Sequence, residues 1–253
     1  MHSGDLTAPL VIDETYLLQQ LKQLLSIPSP TGYTDQIVRH CALELERLGL
    51  VPELTRRGAV RAVRQGSRRR AARSIVTHLD TLGAQVKNIR ENGRLQLVPV
   101  GHWSARFAEG ARVTLISETD SFRGTILPLK ASGHTFNDEI DTLPVGWDHI
   151  ELRVDARTST KADSLALGID VGDYVAIDPQ PEFLENGFIN SRHLDNKAGV
   201  AIALSVIEAL EREQAQTPVD IHWLFTIAEE VGVGAAAIMT PEIASMVTID
   251  NGT

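Results

Sequence analysis

The stretch Ser74-Ile75-Val76-Thr77-His78-Leu79-Asp80 decides the fold. Its β-branched run reads as a short buried strand, and polar residues follow where that strand should end. Two later stretches have the same form. The apolar run Val219 to Ile227 leads into Glu229-Glu230, and Met246 to Ile249 leads into Asp250. Between the first and second of these strands, Lys197 to Arg212 carries Ala, Val, Leu and Ile nearly all round, as a buried helix does, with Asp195 or Asn196 available to cap it. Strand, helix, strand order implies parallel pairing with right-handed crossovers.

Towards the N-terminus, Leu17, Leu18, Leu21, Leu24 and Leu25 recur at spacings of three and four, which predicts an amphipathic helix over Glu14 to Ser26. Ile27-Pro28 ends it, because proline disfavours helix in the residue before it. A second helix is expected from about Thr34 to Leu48, stopped by Gly49. From about Asn88 to Asp178 the texture changes to short alternating runs punctuated by Gly and Pro: Leu95 to Val100, Val113 to Ile116, Ile150 to Val154 and Tyr174 to Ile177. The expectation is therefore an α/β fold with a mixed, largely parallel sheet flanked by helices, made of residues 1–87 and 181–253, with a small β-rich domain at 88–180 inserted into it.

With 43% hydrophobic and 23% charged residues, the composition suggests neither disorder nor a fibrous repeat. The longest mainly apolar stretch, Ala198 to Ile207, falls short of the roughly 18 residues that span a bilayer, so no membrane anchor is expected. Met1 to Leu10 lacks the pattern of a secretory signal, and the single cysteine, Cys41, fits a reducing compartment; both favour the cytoplasm. A net charge of -9 argues against broad nucleic-acid binding. Arg56, Arg57, Arg61, Arg64, Arg68, Arg69, Arg70 and Arg73 pull the other way, but no aromatic residue lies from Thr55 to Thr77 to stack on a base. Gln65-Gly66-Ser67 looks like a hairpin turn between two strands, and a solvated turn is the preferred reading of the arginines.

Polar groups beyond the carboxyl ends of strands in an open α/β sheet can converge though distant in sequence. His78 and Asp80, two apart on an extended segment, point to one face; imidazole can bind a divalent metal while a nearby carboxylate fixes its tautomer. Taken alone, such a pair is more often a hydrogen-bonded surface feature. Glu229 and Glu230 repel each other unless positive charge lies beside them; with a metal present, one can coordinate while the other accepts a proton from the attacking water. Without a metal they read as two exposed glutamates on a loop. Asp195 alone would be only a helix cap, and Asp250 only a turn former. Together, the mix of histidine and carboxylates suits hard or borderline divalent ions: Zn, Co or Mn.

Taken in order, Thr77-His78-Leu79-Asp80-Thr81-Leu82-Gly83, His193-Leu194-Asp195-Asn196-Lys197-Ala198-Gly199, Ala228-Glu229-Glu230-Val231-Gly232 and Val247-Thr248-Ile249-Asp250 resemble the glutamyl/deblocking aminopeptidase family of tetrahedral two-metal enzymes. The likeness runs from Pro28 to the last residue. It implies two divalent ions per subunit, with His78 and Asp250 on one, Asp195 bridging both, and Glu230 on the other. Glu229 would be the general base and Asp80 would orient His78. It also implies a cis peptide after Asp195, a peptide or small-amide substrate, and a homo-oligomer between a dimer and a dodecamer built through the inserted domain.

Against the family pattern, Thr81 stands where a glutamate is common, Lys197 where an arginine is common, and an arginine near Val233-Gly234 is missing, which implies a divergent branch. The family's last ligand of the second metal is a C-terminal histidine. His102, His134, His149, His193 and His222 do not match it, so a C-terminally truncated member with little activity of its own is expected. The main expectation is an aminopeptidase acting through metal-activated water. The alternatives are a related co-catalytic metal amidohydrolase or deacylase acting on a small amide or osmolyte-like peptide, and an inactive assembly protein retaining the fold.

Overall fold

A computed structural model describes residues 9–68 and 71–252. Arg69, Arg70 and most of the Met1 to Leu10 segment lie outside the described residues. The chain forms two compact units, Met1–Thr81 with Pro179–Thr253, and Leu82–Asp178.

In the first unit, helix α1 (Glu14–Ser26) starts at Asp13, whose carboxylate accepts from the backbone N–H groups of Thr15 and Tyr16. Helix α2 (Asp35–Arg47) follows, then strands β1 (Pro52–Leu54), β2 (Val60–Arg64) and β3 (Ala72–His78). The second unit holds strands β4 (Gly83–Ile89), β5 (Leu95–Val100), β6 (Arg112–Ile116), β7 (Ser121–Pro128), β8 (Ile150–Val154) and β9 (Tyr174–Ile177). It also holds the single-turn helices α3 (Gly133–Phe136) and α4 (Glu139–Thr142), and helix α5 (Lys161–Ala166). The first unit resumes with a hairpin of β10 (Glu182–Phe183) and β11 (Ile189–Asn190), helix α6 (Leu194–Arg212), and strands β12 (Ile221–Thr226) and β13 (Ile243–Thr248).

The main sheet has the order β1-β2-β12-β3-β13. β12 and β13 run parallel to β3 on either side of it, while β1 with β2 and β2 with β12 are antiparallel, so the sheet is mixed. Alternation along β2 and β12 sends Val60, Ala62, Trp223 and Phe225 to one face, where they meet Leu21, Leu24, Ile37, Cys41 and Leu45 of α1 and α2 and Leu204 and Ile207 of α6. Each such side chain stabilises the unit by about 1.5–3 kcal/mol on burial. On the other face a smaller cluster joins Val76 and Leu224 to Ile238.

The second unit is a closed barrel in the order β4-β5-β8-β7-β6-β9, filled by alternate residues such as Val86, Leu97, Val113, Leu115, Ile126, Leu152 and Val175. Closure leaves these strands without a free edge. The units divide after Thr81 and after Asp178 rather than at 87/88 and 180/181. The physical reason for the earlier division is that Gly83–Ile89 pairs along its length with β5 inside the barrel.

One local expectation is corrected. Gln65-Gly66-Ser67 is not a hairpin turn, because β12 lies between β2 and β3: Trp223 is in register with Ala62 on one side and Ile75 on the other. The connection instead crosses the entry to β12, with Gly66 N–H donating to Asp220 Oδ1 at 2.8 Å and Ser67 N–H to the Thr217 carbonyl at 2.9 Å. Beyond β12, Ala228 and Val233 bridge a turn, followed by one 3-10 turn at Ala235–Ala237. Neither Asp195 nor Asn196 is helical, so the regular turns of α6 begin at Lys197, as the sequence predicts, and His193 ahead of them is in the left-handed region at φ 66°. The Asp195 side chain bonds His78, and that of Asn196 bonds the Ile249 carbonyl. Several of the arginines are engaged within the unit as well: Arg61 pairs with Glu53 at 2.6 Å, and Arg64 with Glu211 at 2.5 Å.

The crossing predicts a glycine requirement. A Cβ at residue 66 would lie 2.3 Å from the carbonyl carbon and oxygen of Val219, and a backbone neighbour cannot swing aside. Gly66→Ala should lower unfolding stability in a denaturant titration by about 1–3 kcal/mol or more, whereas Gly49→Ala, with open space around it, should show only the smaller penalty of its left-handed backbone.

Candidate metal centre

β3 delivers His78 at its last position, in register with Thr226 at the end of β12. Beyond Thr226 the chain turns tightly: Val233 N–H bonds the Ala228 carbonyl at 2.9 Å and Gly232 N–H bonds that of Glu229 at 2.8 Å, with Gly232 at φ 84°. That turn presents Glu229 and Glu230. β13 pairs with β3 on the other side and is followed by Asp250, its end fixed by the bond from Ile249 N–H to the Val76 carbonyl at 2.9 Å. Asp195 enters from the first turn of α6, and the Asp195–Asn196 bond is cis, as the resemblance implied.

The ligand atoms of His78, Asp195 and Glu230 all lie within 4.8 Å of one another. His78 Nε2 is 2.9 Å from Asp195 Oδ1, and 3.9 Å from both Glu229 Oε2 and Asp250 Oδ1. Glu229 and Asp250 thus stand just outside the tight group of three.

The hydrogen bonds of His78 decide its tautomer. Nδ1 lies 2.9 Å from the Asp80 carbonyl oxygen, which can only accept, so Nδ1 carries a proton. A neutral ring then aims the Nε2 lone pair at a carboxylate oxygen, and that approach requires a second proton or a cation between them. Burial works against the charged ring, yet the hydrogen bonds with Asp195 and Asp80 outweigh it and carry the pKa of His78 up to about 10. Glu230 shows the complementary effect. Burial, followed by the charge of Asp195, pushes its carboxyl up to about 7. The shift of His78, and the part of the Glu230 shift that Asp195 causes, reflect negative charge gathered at one point, which a divalent ion would offset. The donor set of one imidazole and several carboxylates fits such an ion.

Asp80 is fully buried and does more than face His78. Its carboxylate is 3.5 Å from Nδ1, farther than its own carbonyl, while it accepts from Thr31 Oγ1 at 2.7 Å, Glu229 N–H at 3.2 Å and Glu230 N–H at 3.3 Å. Burial would raise the carboxyl's pKa, but these bonds and His78 hold it below the usual carboxylate range. Asn196 ties the third side: its Nδ2 donates to the Ile249 carbonyl at 2.7 Å, next to Asp250. Sequence reasoning gave Thr31 no role and took Asn196 only as a candidate helix cap. Both lie within the span of the resemblance, which was the signal available.

A mixed sheet with a histidine and carboxylates gathered at the C-terminal ends of its parallel strands defines the class of metallohydrolases. Within it, the chain belongs to the M42 glutamyl aminopeptidase family, whose model matches residues 58–253. Among curated relatives it is 33% identical over 236 residues to YhfE of Bacillus subtilis (strain 168), an aminopeptidase by provisional name, covering 93% of this chain and 68% of that protein. It is 24% identical over 230 residues to the glutamyl aminopeptidase of Lactococcus lactis subsp. cremoris (strain MG1363), covering 88% of this chain and 62% of that one. Among solved structures, the aminopeptidase APDkam598 of the archaeon Desulfurococcus kamchatkensis matches with a TM-score of 0.80 at 25% identity, over 94% of this chain and 63% of its own. The TET1 peptidase of Pyrococcus horikoshii, described as able to assemble into a tetrahedron or a large octahedral shell, shares the fold with a TM-score of 0.80 at 20% identity, over 92% of this chain and 68% of its own. The chain therefore spans roughly two thirds of the length of these proteins. No helix among the described residues is long and apolar enough to cross a membrane.

If the cluster is short of positive charge, zinc should stabilise the chelator-treated chain. At a hundred times its dissociation constant, a ligand adds about 2.7 kcal/mol, which corresponds to a rise of about 5–10 °C in thermal midpoint at this size. His78→Ala should abolish the rise. A wild-type midpoint that does not move across a zinc titration would show that the cluster does not bind the ion.

Proposed function

We propose that this chain carries the catalytic centre of a metal-dependent aminopeptidase that removes N-terminal residues from peptides. The observation that carries the reading is the convergence of His78, Asp195 and Glu230 within 4.8 Å in a chain of this family. His78 and Asp250 would hold one divalent ion, Asp195 would lie between two, and Glu230 would hold the second; zinc suits the donors best, with cobalt or manganese as substitutes. Bound there, the ions would polarise the scissile carbonyl and make the attacking water more acidic.

Proton movement falls to the protein. Glu229 is exposed, on the turn anchored by Asp80, and its Oε2 lies 3.9 Å from the His78 ring. It is the carboxylate free to accept a proton from the attacking water and return it to the leaving amine. His78 keeps Nε2 available through the bond of Nδ1 to the Asp80 carbonyl. We assign the barrel, Leu82–Asp178, to assembly with further copies of the chain, on the strength of the shell described for the Pyrococcus peptidase. A cytoplasmic place rests on one buried, unpaired cysteine, Cys41.

Glu229→Gln should lower kcat by about 10²–10⁴-fold with bound metal unchanged, measured as release of N-terminal residues from a peptide panel and by elemental analysis. Cleavage of N-acyl compounds without need of a free amino group would favour a deacylase instead, and metal binding without any hydrolysis would favour an assembly protein. Sedimentation should show a species larger than one chain; a monomer at all concentrations would sink the role given to the barrel.

A further inference from the structure

We infer that Thr31 is a positioning residue: through the buried carboxylate of Asp80 it fixes the turn bearing Glu229 and Glu230. The expected partner of that carboxylate is His78, but the ring already has a nearer acceptor in the Asp80 carbonyl, 2.9 Å against 3.5 Å. What the two carboxylate oxygens hold is the turn. Oδ1 takes the Glu229 N–H, and Oδ2 takes both the Glu230 N–H and the Thr31 hydroxyl, the last being the shortest of the three at 2.7 Å.

The hydroxyl is held rigidly in its turn. Thr31 N–H bonds the Thr81 carbonyl at 3.2 Å, Thr81 N–H bonds the Ser29 carbonyl at 2.9 Å, and Ser29 Oγ bonds the Leu79 carbonyl at 2.8 Å. The segment 29–31 therefore runs as a short parallel rung beside 79–81, with Pro30 bridged to Thr81. A hydroxyl on this rung sets the rotation of the Asp80 carboxylate, and that rotation sets where both amides of the turn must lie. Because the amides belong to adjacent residues, a tilt of the carboxylate moves Glu229 and Glu230 together. The neighbouring Ser29 hydroxyl is committed to Leu79.

The reading of Glu229 as base belongs to the proposed function, but the anchoring stands apart from it and is tested without catalysis. In hydrogen–deuterium exchange on the zinc-loaded chain, Thr31→Val should speed exchange of the Glu229 and Glu230 amides about tenfold, the loss expected for one charge-assisted hydrogen bond. The amides of β12 should keep their wild-type rates, and Thr31→Ser should restore protection. Thr31→Ala removes the same hydroxyl without the second methyl and serves if the valine variant fails to fold. Unchanged exchange at Glu229 and Glu230, or acceleration spread equally over β12, would overturn the assignment. Where the wild type cleaves peptide, kcat should fall about tenfold with KM held, as for an interaction used in the transition state. A wild type that cleaves nothing, with the exchange result intact, would leave the anchor standing and remove only the peptidase reading.

Discussion

Repulsion among carboxylates at the ends of β3, β12 and β13 is the constraint around which the first unit is arranged. Asp80, Asp195, Glu229, Glu230 and Asp250 gather about one imidazole, with His78 Nε2 3.9 Å or less from three of them. At about 4 Å a pair of like charges costs on the order of 4 kcal/mol near a protein surface. Three features offset this cost within the chain. Asp80 stays ionised and is stabilised by hydrogen bonds, Asp195 lies just ahead of the regular turns of α6 where the helix dipole favours negative charge, and the bonds with Asp195 and Asp80 favour the protonated ring of His78. The carboxyl of Glu230 is raised by burial first and then by the charge of Asp195, while His78 works in the other direction.

Such a cluster stays together only if the backbone leaves it little freedom to spread. Each segment that brings a charged group is tied to another by a side chain bonded to main chain. Asp80 holds the turn of Glu229 and Glu230, and Asn196 holds the end of β13. Behind Asn196 the packing is closed: a Cβ at Gly199 would lie 2.0 Å from Asn196 Oδ1, so only glycine lets the asparagine lie against α6 and still reach Ile249. The apolar core of α1, α2 and α6 against the sheet provides the stability that these close polar arrangements draw upon.

Much of this was legible from residue type and period. The leucine spacing of Glu14–Ser26 has one solution, and the alternating runs that became β5, β8 and β9 are bounded by turn residues, so local pattern was enough. His78 and Glu230 could be picked because polar residues after apolar runs mark strand ends, and Asp195 through the resemblance. The path between β2 and β3 was not legible, since a Gly-containing connection looks the same whether its strands pair or admit a third between them; only the pairing of β12, far along the chain, tells them apart. Thr31 was hidden for a related reason. Its partner is 49 residues away, and no local pattern announces a hydroxyl aimed at a buried carboxylate.

Lys197 shows how a departure from a family pattern changes meaning once it is placed. As a lysine where the resemblance implies an arginine, it pointed only to a divergent branch. Its side chain instead lies almost wholly buried at the end of α1, with Nζ donating to the carbonyls of Leu24, at 2.8 Å, and Ile27. The Leu24 carbonyl also accepts from the Ile27 N–H at 3.2 Å, and a compact ammonium meets both carbonyls at this helix end without the planar fork of a guanidinium. Burial pulls its pKa down to about 7, a cost the two carbonyls reduce. Because Lys197 directly follows Asp195 and Asn196 at the start of α6, what it secures is the seat of that helix end against α1, and with it the direction from which Asp195 reaches His78. Lys197 thus acts on the placement of Asp195.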